Sequence, residues 1–488
     1  MTLTLPAPPR TVRVGLETLL LDRGMTLDEL SESTEISPTD LRRLIAGDVD
    51  AVRFSTLVTL CTALGCTIDD LLHTTPAPAP ASRRRVVPAL PERCRLAGGV
   101  AIVSVAVVWI LTALISTVNP VDFLVYRYGS AAAWAGSNIY AANLTGPMMP
   151  SGGLPFTYTP FAAFGLSPTM LLPPLLAFVL WSLLTMAALA WVIWRCMPIG
   201  VHRVRNTLLV LVVTGFSIVV ASHIIFGQIN TFLMVLCLVD VLRRPGSRSA
   251  RVLPPGLMVG IAAAIKLTPA LFIVYFLFTK QWQRFWWSVA GAGAGTLLAG
   301  ALFPEMSWTF FTDTMWHLSD QVDLGGLYAT SGNSSIQGAL AYFGTPRPLN
   351  ALLALVGGAA GLWAARGAYQ RGGALNAALI VGLTACLVSP VSWMHHWVYL
   401  VPALVLLGTS TNRRYRLTAG ISALVLLATG PHIGDVLLDT GVDALWLPGV
   451  IFRESLLIIG AIVIVLLHHQ TASKQLRSVS SFSRSSVS

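Results

Sequence analysis

The chain has 488 residues, 54% of them hydrophobic and only 11% charged, and a mean hydropathy of +0.70. An ordinary soluble domain carries about 25% charged residues, so disorder is excluded, a soluble enzyme of this length is disfavoured, and a multi-span membrane protein is expected. The net charge of +10 is unevenly spread: residues 1–75 hold six Lys/Arg against eleven Asp/Glu, which leaves −5 there and +15 for the rest.

The acidic head comes first. Leu16, Leu19 and Leu20, followed by a turn at Gly24, predict a helix. Thr26 and Glu29 have the spacing of a capping box, with Leu27 and Leu30 on the apolar side. Ser37-Pro38-Thr39-Asp40 supplies an N-cap, a first-turn proline and an acid at the positive helix end, and Gly47 closes that helix. Phe54–Leu64 and Ile68–Leu72 give two more. Short helices joined by a tight turn make a helix-turn-helix. Residues 13–73 resemble the Cro/phage-repressor family, which implies that fold. DNA binding does not follow, because such readers neutralise phosphates with Lys and Arg. The third helix offers only Arg42 and Arg43, with Asp40 beside them, and a net −5 repels a duplex. DNA is therefore not an expected partner; a docking or regulatory module for a cytoplasmic protein is.

Residues 1–75 form this domain, and 76–95, rich in Pro and Ala with Arg83–Arg85, read as a linker near a membrane face. Residues 1–12 lack a long apolar core, so no signal peptide is expected. The six cysteines match no metal-ligand spacing.

The body, 96–468, is expected to be a polytopic all-α bundle. Apolar stretches of spanning character fall at about 98–118, 170–194, 206–222, 230–242, 285–303, 348–366, 376–393, 397–409, 417–434 and 448–467. Residues 254–279, interrupted by Lys266 and Pro269, read as two shorter helices that enter and return. With that return, the basic loops at Arg203/Arg205, Arg243–Arg251, Lys280/Arg284, Arg366/Arg371 and Arg413–Arg416 share one side with Lys474 and Arg477. That side is cytoplasmic by the positive-inside rule, with both termini inside and about twelve membrane helices. Residues 469–488 read as a disordered tail.

The opposite side collects most of the body's acids and histidines, in the long loop 119–165, the turn 223–229, the loop 304–347, the corner 389–397 and the loop 431–447. Polar residues gathered at one face of a membrane bundle mark a site. Asp122 opens a predicted surface-lying helix, Asp122 to Trp134, just after the first span, and Leu154-Pro-Phe-Thr-Tyr158-Thr-Pro160 reads as a proline-braced aromatic turn. The series Asp435, Asp439, Asp443 reads as a solvated loop, since Gly434 and Gly441 argue against one continuous helix. The sequon Asn143-Leu-Thr145 reads as chance.

An acid after the first transmembrane helix, followed by a surface helix in a long outer loop, resembles the GT-C glycosyltransferases. More narrowly, Asp122-Phe with Tyr126-Arg127, Pro155-Phe-Thr-Tyr158-Thr-Pro160-Phe, Gly227-Gln228-Ile-Asn230, Lys266-Leu-Thr-Pro269, Asn333-Ser-Ser-Ile-Gln337 and Ser389-Pro-Val-Ser-Trp-Met-His395-His396-Trp resemble glycosyltransferase family 87 over about residues 95–467. Asn333-Ser-Ser stands where that family more often has Asn-Gln-Ser, and an appended helix-turn-helix is not part of its usual plan. The resemblance implies mannose transfer from polyprenyl-phosphate mannose to a glycolipid or lipoglycan on the extracytoplasmic face, inverting, commonly α-(1→2). A polyprenyl-phosphate pentose donor stays open. A glycosyl phosphate needs no strong acid to expel its leaving group, but the acceptor hydroxyl needs a base. Asp122 is the expected base. Arg127, Lys266, His395 and His396 are expected at the donor phosphate, and Tyr126, Tyr158, Gln228, Asn230, Asn333 and Gln337 at the substrates. No metal and no cofactor is expected, since no pair of outer-face acids has a ligand spacing.

Plainer readings stand beside these. Asp122 serves as a helix N-cap, Lys266 snorkels to the membrane edge, and Arg127 is an ion-pair partner. His395 and His396 sit at an interface beside Trp393 and Trp397, Gln228 and Asn230 cap a turn, and Tyr158 is an aromatic anchor. Two other classes compete: a membrane-tethered transcriptional sensor, which calls for a basic head, and a lipid-sugar transporter, which calls for polar residues through the bundle's depth. A duplex-DNA pull-down with residues 1–90 checks the head. No retention is expected, and retention that weakens steeply with salt reverses the reading.

Overall fold

A computed structural model of the chain describes residues 10–46, 51–76, 92–114, 120–243, 253–322 and 329–470, and its contacts divide the chain into two units, Met1–Leu90 and Pro91–Ser488. Gly47, the linker cations Arg83–Arg85, Arg248 and Arg251, Asp323, Lys474, Arg477 and most of the expected linker and tail lie outside the described residues.

The first unit holds α1 (Leu16–Arg23), α2 (Leu27–Thr34), α3 (Pro38–Ala46), α4 (Phe54–Leu64) and α5 (Ile68–Leu71). Gly24 caps α1 in the left-handed region, and the Thr26/Glu29 capping box forms in full. Leu16, Leu30, Leu41, Leu60 and Leu71 close the core. The unit is not purely helical: β1 (Arg10–Val14) pairs antiparallel with β2 (Leu72–Pro76), from Arg10 opposite Pro76 to Val14 opposite Leu72. The β-branched residues in both segments suit a strand, but their partnership joins the two ends of the head and leaves no local period to read.

The second unit runs through α6 (Glu92–Leu114), α7 (Val121–Trp134), α8 (Pro160–Gly165), α9 (Pro174–Cys196), α10 (Arg203–Gly215), α11 (Ile218–Phe226) and α12 (Asn230–Leu242). It continues with α13 (Leu257–Ile265), α14 (Ala270–Phe278), α15 (Trp282–Leu302), α16 (Pro304–Thr312), α17 (Leu318–Val322) and α18 (Ile336–Tyr342). The last seven are α19 (Arg347–Gln370), α20 (Ala374–Val388), α21 (Leu400–Gly408), α22 (Arg413–Leu427), α23 (Gly430–Asp439), α24 (Asp443–Arg453) and α25 (Ser455–His469).

Among the described residues, α6, α9, α15 and α19 are long and apolar enough to cross a membrane, and three bent pairs raise the number of spans to at most seven. The apolar helices α12 and α20 and the stretch Met394–Gly408 are shorter and stand outside that count, which rests on length and composition among the described residues. Three stretches expected to be single spans are broken. The α10–α11 pair bends by 72°, where Ser217 turns extended and N-caps α11; α22–α23 bends by 62° and α24–α25 by 55°.

The aspartate series is also corrected. Asp435 and Asp439 lie on helix α23, and Asp443 opens α24. Gly434 sits inside α23 because its missing Cβ admits the Arg453 backbone, and Gly441 makes the turn at φ +66°. The α23–α24 hairpin is tied elsewhere: Ser331 donates to Asp435, and the buried Arg453 pairs with Glu454 and donates to the Ala329 carbonyl at 2.6 Å.

Gly227 fixes where α7 sits. It ends α11 at φ +73°, and a Cβ there would lie 2.5 Å from Phe123 Cβ. Gly227→Ala is therefore expected to cost about 1–3 kcal/mol through backbone strain and overpacking. Thermal unfolding in detergent checks this, and an unchanged midpoint refutes it.

Candidate active site

Asp122 is the second residue of α7, in its first turn; the N-cap is Pro120, so the capping reading of Asp122 does not hold. The side chain lies in the wall of a cavity of about 830 Å3, together with Tyr158, Gln228, Lys266, His395 and His396. Much of the remaining wall is apolar, from residues such as Val121, Val125, Leu154, Leu271 and Val388.

A continuous polar chain crosses one wall. The Gln228 side chain hydrogen-bonds to Asp122. Gln228 Oε1 accepts from Tyr126 OH at 3.3 Å and from Asn230 Nδ2 at 3.2 Å, which leaves its amide N–H groups for the carboxylate. Lys266 Nζ donates to Asn230 Oδ1 at 3.0 Å and lies 3.3 Å from His396 Nε2. Tyr126 OH stands 2.9 Å from Tyr158 OH, and the Tyr158 ring faces Lys266 Nζ at 5.1 Å. Burial pushes the Asp122 carboxyl up to about 6, against the opposing pull of the Gln228 hydrogen bond and the Lys266 charge.

Lys266 owes its place to a helix end. It caps α13 in extended backbone, φ −145° and ψ 139°, so its cation stands at the negative pole of that helix. The last carbonyls of α13 need partners once the helix stops. Thr159 supplies them, donating to Ala264 O and to Ile265 O, the latter at 3.3 Å. Thr159 is also the N-cap of α8, with Pro160 behind it, so the aromatic turn and the helix break brace each other.

The two histidines are set by a third. His223 Nδ1 donates to His395 O at 3.2 Å, and His223 Nε2 lies 3.0 Å from the Thr231 hydroxyl. His395 is 6% exposed, and its Nε2 has no hydrogen-bond partner among the described residues. A buried polar atom unpaired in a cavity wall suits a ligand. Trp397, expected at an interface, is fully buried in the core instead.

Other expected site residues fall elsewhere. Tyr126 and Asn230 stand behind the wall and hold Gln228. Arg127 is not among the lining residues; its guanidinium donates to Thr169 O and, at 2.9 Å, to Leu172 O, so it secures the segment before α9, and among the described residues it has no ion-pair partner. Asn333 staples two loops: its Nδ2 donates to Pro390 O at 3.2 Å, and its Oδ1 accepts from Ser335 N at 3.3 Å and Ser392 N at 2.9 Å. Gln337 lies on α18, outside the cavity lining. Thr159 and Thr231 were not anticipated; a Thr-Pro N-cap is legible in sequence, but its carbonyl partners on α13 are not. Among the described residues, no three His, Cys, Asp or Glu side chains group as metal ligands would.

Residues 156–390 match Glycosyltransferase family 87, and residues 16–77 match the Cro/C1-type HTH DNA-binding domain. A polyprenol-phosphate-mannose-dependent alpha-(1-2)-phosphatidylinositol mannoside mannosyltransferase of Mycobacterium tuberculosis is 33% identical over 323 residues, 62% of this chain and 74% of the relative. The chain belongs to glycosyltransferase family 87. Another M. tuberculosis member, a polyprenol-phosphate-mannose-dependent alpha-(1-2)-phosphatidylinositol pentamannoside mannosyltransferase, is 31% identical over 391 residues, 73% of this chain and 82% of the relative. A phosphatidylinositol mannoside mannosyltransferase of Mycolicibacterium smegmatis is 31% identical over 320 residues, 60% of this chain and 71% of the relative. No solved structure matches. The matched family segment contains Tyr158, Gln228 and Lys266, while Asp122, His395 and His396 lie outside it.

The Asn333 staple bears on the cavity wall, since Pro390 and Trp393 line it. Asn333→Ala leaves two backbone donors and one acceptor without this partner and is expected to cost about 1–3 kcal/mol. A lower unfolding midpoint in detergent is the expected result.

Proposed function

We propose that the cavity transfers mannose from polyprenyl-phosphate mannose to a hydroxyl of a phosphatidylinositol-mannoside-type glycolipid, forming an α-(1→2) linkage with inversion on the extracytoplasmic face. The relatives' names support the donor and acceptor classes. The observation that carries the chemistry is one half-buried carboxylate, Asp122, sharing a largely apolar cavity with Lys266, His395 and His396. The apolar wall suits the lipid part of the donor, and both termini are then cytoplasmic.

In the proposed step, Asp122 takes the proton of the acceptor hydroxyl while that oxygen bonds to the anomeric carbon. The bond from this carbon to the phosphate oxygen breaks, and its electron pair leaves on the lipid phosphate. Lys266 and the histidine pair meet the charge that develops there. A single displacement turns a β-linked donor into an α-mannoside. Gln228 orients the carboxylate, and Tyr126 and Asn230 hold Gln228. Arg127 is assigned to positioning α7 rather than to the phosphate. No metal or cofactor enters this scheme, and the head serves as a docking module for a cytoplasmic protein.

Sugar transfer by the purified full-length protein tests the reading, with labelled polyprenyl-phosphate mannose and a phosphatidylinositol-mannoside acceptor. Asp122→Asn is expected to lose about 10²–10⁴-fold in rate, and Lys266→Met about 10²–10³-fold, both with wild-type unfolding midpoints. Equal transfer by Asp122→Asn removes the base, and transfer only from a pentose donor removes the mannosyl assignment. The wild-type kcat/KM is expected to fall as pH drops through about 6, because a base must be deprotonated and burial has raised this carboxyl. A flat profile between about pH 5 and 8 contradicts that role.

A further inference from the structure

A second cavity shares no residue with the first. It is a slot of about 480 Å3 between α10, α21 and α22. One stripe of each helix lines it: Leu209, Val210 and Val213 from α10, Val401, Leu404 and Val405 from α21, and Ala419, Gly420 and Ala423 from α22. The wall hydroxyls turn back to their own helices. Thr214 donates to Val210 O at 2.7 Å, Ser217 to Thr214 O at 2.6 Å and Thr409 to Val405 O at 2.9 Å. With these hydroxyl protons already placed, the interior is mostly apolar. From Arg416 to Leu427, the α22 wall is about 16 Å long at 1.5 Å per residue.

One end differs in kind. Arg416 lines the slot there, and its Nη1 donates to Ser410 O at 3.0 Å and Thr411 O at 2.8 Å. Asn206 lines the same end and accepts from Arg205. The exposed Arg413 stands one turn before Arg416 on the same face of α22. Among the described residues, no acid lines the slot. Apolar packing alone selects nothing in a bilayer, where every acyl chain is as apolar as the wall. An apolar slot ending in arginines does select, because it joins chain and headgroup recognition in one place.

We propose that this slot binds one anionic glycerophospholipid, with an acyl chain between α10, α21 and α22 and the phosphate at Arg416 and Arg413. The occupant follows from the shape, which takes a chain, and from the charge at one end, which takes an anion. The site is independent of the transfer cavity and of the function proposed for it.

Gly420 makes the test clean. A Cβ built there meets nothing within 4 Å, so the position has room for a side chain, and Gly420→Leu is expected to enter the slot while it removes a helix-weakening glycine. Native mass spectrometry of the full-length protein is titrated with dioleoyl phosphatidylglycerol, dioleoyl phosphatidylcholine or glycerol 3-phosphate. Wild type is expected to take up one phosphatidylglycerol about ten-fold more tightly than phosphatidylcholine, and to show no uptake of glycerol 3-phosphate. Gly420→Leu is expected to lose that lipid about ten-fold while its unfolding midpoint in lipid-free detergent holds or rises. The exposed pair Arg413→Gln/Arg416→Gln is a second variant, expected to abolish the preference between the two headgroups. Equal wild-type binding of both lipids overturns the proposal, as does wild-type affinity in folded Gly420→Leu. Uptake of glycerol 3-phosphate alone overturns the acyl-chain part and leaves a bare anion site.

Discussion

The second unit turns on a cation that the apolar body must accommodate. Lys266 stands where α13 stops, and three independent features make its charge tolerable: the negative pole of α13, the Asn230 amide oxygen and the face of Tyr158. Each feature commits another part of the chain. Thr159 must reach the orphaned carbonyls of α13, which fixes the aromatic turn. Asn230 must share Gln228, which fixes the Asp122 carboxylate. The polar wall is thus a consequence of stopping one helix inside an apolar body.

Several residues with catalytic-looking chemistry are spent on architecture. Arg127 closes carbonyls near α9 and Asn333 holds two loops together. Arg453 and Glu454, buried side by side, tie the α23–α24 hairpin to the Ala329 carbonyl. Buried backbone carbonyls are obligatory acceptors, and in a largely apolar chain few donors are at hand. Arg127 and Asn333 satisfy such acceptors and stand outside the lining of the transfer cavity.

How much was legible depended on range. The Thr26/Glu29 capping box, the glycine caps and the stop at Lys266-Leu-Thr-Pro269 are local signals, and each appears where the residues require it. The bends at Ser217 and Thr429 were missed because hydropathy runs straight through them. Gly434 was misread for the opposite reason: its value is the close approach of Arg453, which local propensity does not register. The β1–β2 ribbon joins segments from opposite ends of the head and has no local signature.

From its residues alone the chain determined a membrane body, an acidic helix-turn-helix head, a helix broken at Lys266 and a family resemblance carried by short motifs. Composition, caps and spacing act over a few residues, so they survive without a fold. Tertiary structure decided which polar side chains face one cavity. Asp122, Tyr158, Gln228, Lys266, His395 and His396 share it, while Arg127, Asn333 and Gln337 do not. The reason is physical: a donor on an apolar chain goes to whichever buried acceptor the packing brings near, and that acceptor is named only when distant helices meet.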